Sequence, residues 1–422
     1  MLLLCRFGEF AMRRRLMLSA AAALLVTGHA CNAKPIRKPP DPATALQMRL
    51  LTLDSHLDTP ASLALPGWSI TDAHSVADDY TQVDLPRLKK GGLDGGFWAI
   101  YTPQGPLDAA FTRKARDFAL MRGIAIREMV AAHPESFALA AKAADAAAIK
   151  AAGKRVVYLS IENAWPLGDD PTLLGVFHAM GVRIAGFAHF SNNQFADSST
   201  DKPRWDGLSP LGVQLLAEMN RLGVVPDLSH SSDRALDDAL RLSKAPLVLT
   251  HSGCKAVFDH PRNIDDAHLK ALADAGGVIQ INSVYVKGLK QSPEREAALK
   301  ALDAKYPEDR TLTAAERQEV LAARHRIDSQ YPEVRAGFDD VMANLLHAIK
   351  VAGVDHVGIG LDWDGGGGVV GLEDLLDLPK LTGALLKAGY TEADVAKIWS
   401  GNVLRVLAAS EAEAERQKVA GS

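Results

Sequence analysis

Short apolar runs alternate with longer amphipathic stretches along most of this chain. Eight of the runs have the length and the β-branched or aromatic content of buried strands: 50–54, 95–101, 156–161, 183–188, 224–228, 247–250, 277–281 and 357–361. Between them lie segments with helical spacing, such as 109–132 and 210–222. Alternation of this kind builds a parallel sheet. Eight repeats favour closure into an α/β (β/α)8 TIM barrel over an open doubly wound sheet. No Gly-x-Gly-x-x-Gly follows an early strand, so a dinucleotide-binding fold lacks its signature.

One stretch breaks the rhythm. Residues 291–335 are rich in Glu, Lys, Arg and Ala and contain no strand-like run, which predicts a helical insertion after the seventh strand. Its first reading is a solvated helical surface; a lid or a dimer contact is the alternative.

The first 31 residues read as a leader. From Met12, the basic Arg13, Arg14 and Arg15 precede an apolar run over 16–26, and the small residues Gly28 and Ala30 follow. That run is too short to span a bilayer and has the organisation of a secretory signal. The arginines followed by Leu16 and Met17 also resemble a twin-arginine signal. Cys31 could accept a lipid, although Gly28 stands where a lipobox normally has Leu. Residues 32–43, rich in Pro and Lys, read as a linker, which leaves 44–410 as one domain and 411–422 as a tail. The expected location is the periplasm or the periplasmic face of a bacterial membrane.

Composition adds limits. The chain is 47% hydrophobic and 23% charged, as expected for a soluble globular protein with a large core. A net charge of -4 gives no basic footprint for nucleic acid. Of three cysteines, Cys5 and Cys31 fall in or beside the leader, so Cys254 is left alone and no disulfide framework is expected.

Active-site residues of a βα barrel sit where the strands end and the βα loops begin. The first run leads into Asp54-Ser55-His56-Leu57-Asp58, the third into Glu162, the fourth into His189 and the fifth into Asp227-Leu228-Ser229-His230. The sixth leads into His251 and the eighth into Asp362-Trp363-Asp364. Ionisable or metal-binding side chains thus gather at one rim. His56 and Asp58 alternate along extended chain, so both can point one way and grip one ion. A set of nitrogens and carboxylates without thiolates suits Zn²⁺, with Mn²⁺ or Co²⁺ as substitutes. His56, Asp58, Glu162, His230 and His251, with His189 and Asp362 beside them, are enough for two ions, and Glu162 could bridge them.

Singly, each has an ordinary alternative. A lone His-x-Asp is a weak signal, a buried histidine is commonly a hydrogen-bonded core residue, and Glu162 could be salt-bridged. The glycines at 365–368 are followed by no Lys-Ser/Thr, so they read as a flexible βα loop and not as a phosphate cradle. His260 is a candidate for a supporting role; His74, His133 and His268 read as incidental.

Taken together, DSHLDTP at 54–60, IEN at 161–163, DLSHSS at 227–232, THSGCKAVFDHPRNIDD at 250–266, LDWDGGGG at 361–368, GLEDLLDLPKL at 371–381 and SGNVLRVL at 400–407 make the sequence resemble the membrane dipeptidase (renal dipeptidase) family of zinc peptidases, within the amidohydrolase-like barrels. The resemblance implies two Zn²⁺ ions, one on His56 and Asp58, the other on His230 and His251, with Glu162 as bridge. It implies that His189 contacts the scissile carbonyl, that Arg262 takes the free carboxylate of a dipeptide, and that Asp362 handles protons and meets the substrate amine. The expected reaction is hydrolysis of L-Xaa-L/D-Xaa dipeptides by a metal-activated hydroxide; homodimers are common among relatives. Glu162-Asn163-Ala164, Gly360-Leu361-Asp362-Trp363 and Asn282-Ser283-Val284-Tyr285 depart from the family pattern at pocket walls. A related binuclear amidohydrolase acting on N-acyl amino acids, lactones or β-lactams is the nearer alternative. A non-catalytic exported binding protein is the further one.

Overall fold

The computed structural model describes residues 41–307 and 310–421. The leader over 1–31, Cys5, the candidate lipid acceptor Cys31 and most of the expected linker lie outside them. Among the described residues ten strands occur in chain order: β1 (Leu53–Leu57), β2 (Gly95–Ile100), β3 (Phe137–Leu139), β4 (Arg155–Ile161), β5 (Val182–Gly186), β6 (Val225–Asp227), β7 (Val248–Cys254), β8 (Asn263–Ile264), β9 (Val278–Ile281) and β10 (Val357–Ile359). Neighbours run β1-β2-β4-β5-β6-β7-β9-β10, all parallel, while β3 pairs with β4 and β8 with β7.

The ring closes between its first and last members. A parallel bridge joins Leu57 to Trp363, and Asp58 N–H donates to Trp363 O at 2.9 Å. Buried Asp54 supports the seam: its carboxylate accepts from His56 N–H at 2.9 Å and from Leu361 N–H at 3.1 Å. Burial pushes that carboxyl up to about 7 against those hydrogen bonds. The result is the eight-stranded α/β barrel that the pattern of runs predicts.

Alternation along the strands divides the core in two. Trp98, Val157 and Leu159 join the large cluster shared with the surrounding helices, whereas Phe97, Val156 and Tyr158 belong to a separate cluster. That second cluster takes residues at the start of strands (Leu53, Val225, Val248, Val278) and is plugged by Val403, Val406 and Leu407. Apolar side chains therefore seal the N-terminal end of the barrel, and the chemistry is left to the other end.

Gly95 shows how tightly the strands pack. Its φ is +141°, and a Cβ there would stand 1.9 Å from Val156 O on the neighbouring strand. Gly95→Ala is expected to destabilise the protein by about 3 kcal/mol through overpacking and backbone strain, read as a lower urea midpoint. A midpoint equal to the parent's would refute this.

Several boundaries differ from expectation. The first strand starts at Leu53, not at 50: Leu50 is the C-cap of the helix Pro42–Arg49. His56 therefore lies within β1. His251 likewise lies within β7, which runs on to Cys254. Asp41 caps the helix that starts at Pro42, so the end of the expected linker is part of the domain. The expected tail over 411–422 is not separate either: helix Asn402–Gly421 runs through it, with Glu413 and Ala414 buried. After β9 the insertion forms two helices, Pro293–Lys305 and Ala314–Gln330. It is more than a solvated surface. Tyr80 Oη donates to Asp328 at 2.6 Å and Arg317 donates to Pro66 O at 2.9 Å, fixing it to the segment after β1.

Candidate metal centre and substrate cavity

Seven side chains meet at the C-terminal rim: His56, Asp58, Glu162, His189, His230, His251 and Asp362. Glu162 directly follows β4 and sits at the middle. Its Oε1 lies 3.2 Å from His189 Nε2, 3.3 Å from His230 Nε2, and 3.7 Å from both His56 Nε2 and His251 Nε2. His56 Nε2 is also 3.2 Å from Asp58 and 3.9 Å from Asp362. His230 and His251 bring their Nε2 atoms to 2.8 Å of each other. All except the half-buried Asp58 are buried.

The electrostatics follow from this crowding. Burial alone would raise Glu162, yet His189, His230 and His56 hold it well below the usual carboxylate range. Burial, then Arg262 for His230 and His56 for His251, keep these two imidazoles neutral, which is the ligand form. Burial opposes charging of His56, but Asp58, Glu162 and Asp362 outweigh it and push the ring up to about 10. Burial, with Asp58 and Glu162 adding repulsion against the pull of His56, raises Asp362 to about 8.

Hydrogen bonding orients His251. Thr250 Oγ1 donates to buried Asp227 at 2.5 Å and so accepts from His251 Nδ1 at 2.9 Å. That puts the ring proton on Nδ1 and leaves Nε2 bare toward the cluster. Four imidazoles around one carboxylate oxygen are more than hydrogen bonding can satisfy, and Asp58 Oδ1 and His230 Nδ1 are buried without partners. The donor set fits divalent cations.

The loop after β10 is shaped to the same end. Asp362 has φ +66° and Asp364 +65°, left-handed conformations that Asp tolerates better than most residues. A Cβ at Gly365 would fall 2.0 Å from Asp58 Oδ2 and 2.4 Å from Asp362 Oδ1, so the glycine lets backbone approach the carboxylates. Asp364 ties this loop to the rim by accepting from Thr59 Oγ1 at 2.7 Å and Gln82 N–H at 2.6 Å.

A cavity of about 430 Å³ opens over the cluster. Arg262 lines it, buried, donating to the carbonyls of Ser229 and, at 3.2 Å, His251, with its Nε–H buried and unpartnered. Its guanidinium lies 5.3 Å from the Tyr285 ring, on which His260 stacks at 4.4 Å. His260 is thus a support for this corner. His74 is structural: it is paired with Asp79 at 2.7 Å and stacked on Trp68. Sequence reasoning missed the exposed Phe190 beside His189, the residue Arg122, and the link between the insertion helices, where Tyr306, Pro307 and Leu312 wall the cavity. The insertion's interruption of the βα rhythm was a signal for the link residues alone.

The family model for membrane dipeptidases, peptidase family M19, matches residues 41–420. The chain belongs to that family. Membership makes it a metal-dependent dipeptidase by class. A dipeptidase of Claviceps purpurea (strain 20.1), tcpJ, is 32% identical over 343 residues, covering 80% of this chain and 71% of its own. The crystal structure of the probable dipeptidase PvdM from Pseudomonas aeruginosa matches with TM-score 0.74 and 32% identity, over 88% of this chain and 98% of that one. A Rhodobacter sphaeroides metallopeptidase, solved with a phosphinate mimic of the dipeptide L-Ala-D-Ala, matches with TM-score 0.66 and 26% identity, over 86% and 99%.

Proposed function

We propose that this chain is an exported dipeptidase that holds two zinc ions at the barrel mouth and cleaves free dipeptides. The observation that carries this is the set of four imidazole Nε2 atoms gathered within 3.7 Å of Glu162 Oε1. His56 and Asp58 would hold one ion, His230 and His251 the other, and Glu162 both. His189, as close to Glu162 as His230 is, faces the same centre. Ions bound in such a site acidify water and polarise a carbonyl oxygen.

The chain's own residues do the rest. His189 faces the substrate carbonyl oxygen and stabilises the charge that develops there. Asp362 accepts a proton on its carboxylate and returns it to the departing amine. Arg262 receives the C-terminal carboxylate: it lines the cavity, and only two of its five N–H groups are spent on carbonyls. A clamp at that point measures the end of the substrate and favours dipeptides over longer chains. Export rests on the leader-like residues 12–31; among the described residues no helix is long and apolar enough to cross a membrane.

Metal analysis beside hydrolysis of L,L- and L,D-dipeptides tests the reading. About two zinc ions per chain and turnover of free but not C-terminally amidated dipeptides are expected. Equal turnover of amidated substrates, or preference for N-acyl amino acids or lactones, would overturn it. Arg262→Ala should raise KM for dipeptides by about 10- to 100-fold, the worth of a charge-assisted hydrogen bond. An unchanged KM would remove the clamp.

A further inference from the structure

A second arginine faces the same cavity. Arg122 lies on the helix Ala109–Ala132 that follows β2, and it is half-buried. One guanidinium nitrogen donates to Pro60 O, and the group lies 5.2 Å from the Phe118 ring. Among the described residues no carboxylate forms an ion pair with it; Asp58 acts on it only from longer range. Arg310, the other cation at the cavity besides Arg262, is taken up by Glu316. A half-buried cation that lines a cavity and has spent one nitrogen on a carbonyl invites an anion from the ligand.

Position decides which part of the ligand this is. In the ring of eight strands, the helix of Arg122 follows the second member, β2, and Arg262 follows the sixth, β7. The two arginines thus stand on opposite sides of the barrel mouth, with Glu162 and the histidines between them. With the C-terminal carboxylate on Arg262 and the peptide bond over the cluster, the N-terminal residue extends toward Arg122.

We infer that Arg122 is a specificity-determining residue that binds a carboxylate on the side chain of the N-terminal residue, so that preferred substrates are dipeptides beginning with Glu or Asp. The inference rests on the dipeptidase reading above. The apolar surroundings of Arg122, Phe118 among them, strengthen such a pairing because little water competes. A neutral amide of the same shape would gain much less from the guanidinium.

The test compares L-Glu-L-Ala with L-Gln-L-Ala, which differ in side-chain charge and hardly in shape, using the metal-loaded full chain. Wild type should favour L-Glu-L-Ala in kcat/KM by about tenfold or more, as expected for a hydrogen bond to a charged group. Arg122→Met should bring the ratio to near one, and Arg122→Lys should keep part of the preference. A wild-type ratio near one overturns the inference, and that result needs no variant to fold. So does an Arg122→Met variant that keeps the wild-type ratio, or one that loses both substrates equally, since the residue would then only brace Pro60 beside Asp58. Failure to hydrolyse these dipeptides and L-Leu-L-Ala alike would overturn the dipeptidase reading itself. Hydrolysis without a preference for Glu removes only the role of Arg122.

Discussion

Glu162→Gln is expected to release the metal and reduce turnover by about a thousandfold or more, since the Lewis acidity lost with the ions is worth several kcal/mol of barrier. The side chain is nearly isosteric, so the change removes charge and not volume. In the parent, one carboxylate oxygen faces four imidazole nitrogens at 3.2 to 3.7 Å. An amide in its place either turns N–H groups toward lone pairs that should bind cations, or offers a neutral oxygen where an anion is needed. Metal content by elemental analysis, run beside thermal unfolding, checks the prediction. Loss of metal with a folded protein is the expected outcome. A variant that keeps the parent's metal content and near-parental kcat would show that Glu162 is not needed to hold the metal.

Much of this site was legible in the sequence because barrel geometry maps strand ends onto one rim. Glu162, His189 and His230 follow their strands closely, and the ligand types at those ends already exclude a thiolate site. The boundaries were less legible for a related reason. Ser55 and His56 are polar and fall past the end of the expected run, but inside a barrel mouth polar side chains find partners: Ser55 Oγ donates to Thr250 O at 2.6 Å, and Asp54 holds the seam. Apolar Leu50 and Leu51 then took the strand's place in the pattern, although Leu50 ends a helix.

What the sequence hid was whatever depends on how separate elements cross. Arg122 looks like one more charge on the exposed face of a long helix; only the approach of the segment after β1, with Pro60 O accepting from it, makes it a wall of the cavity. The charged insertion read as solvated for the same reason. Its anchors, Tyr80 to Asp328 and Arg317 to Pro66, join residues more than two hundred positions apart, beyond any local periodicity. The hydroxyl of Thr250 between Asp227 and His251 is hidden differently, since a threonine beside a histidine has no distinctive pattern until the strands are in register.

Asp362→Asn is expected to lower kcat by about 10²- to 10⁴-fold while the metal stays bound, the range associated with losing a positioned acid–base group. Asparagine is the informative replacement because φ at this position is +66°, which Asn accepts and Ala does not. A loss in Asp362→Asn therefore reports chemistry and not a strained loop, whereas Asp362→Ala would mix the two. The parent carboxyl is raised to about 8 by burial and by Asp58 and Glu162, with His56 opposing. Cations bound between these groups would offset the repulsion and draw the group back toward its charged form, ready to take a proton. Asp58, Glu162 and the histidines remain in the variant, so metal content should match the parent's. A fall in kcat with KM little changed assigns Asp362 to proton transfer. A change confined to KM would place it on the substrate amine alone, and kcat within tenfold of the parent would end its proposed role as the acid–base group.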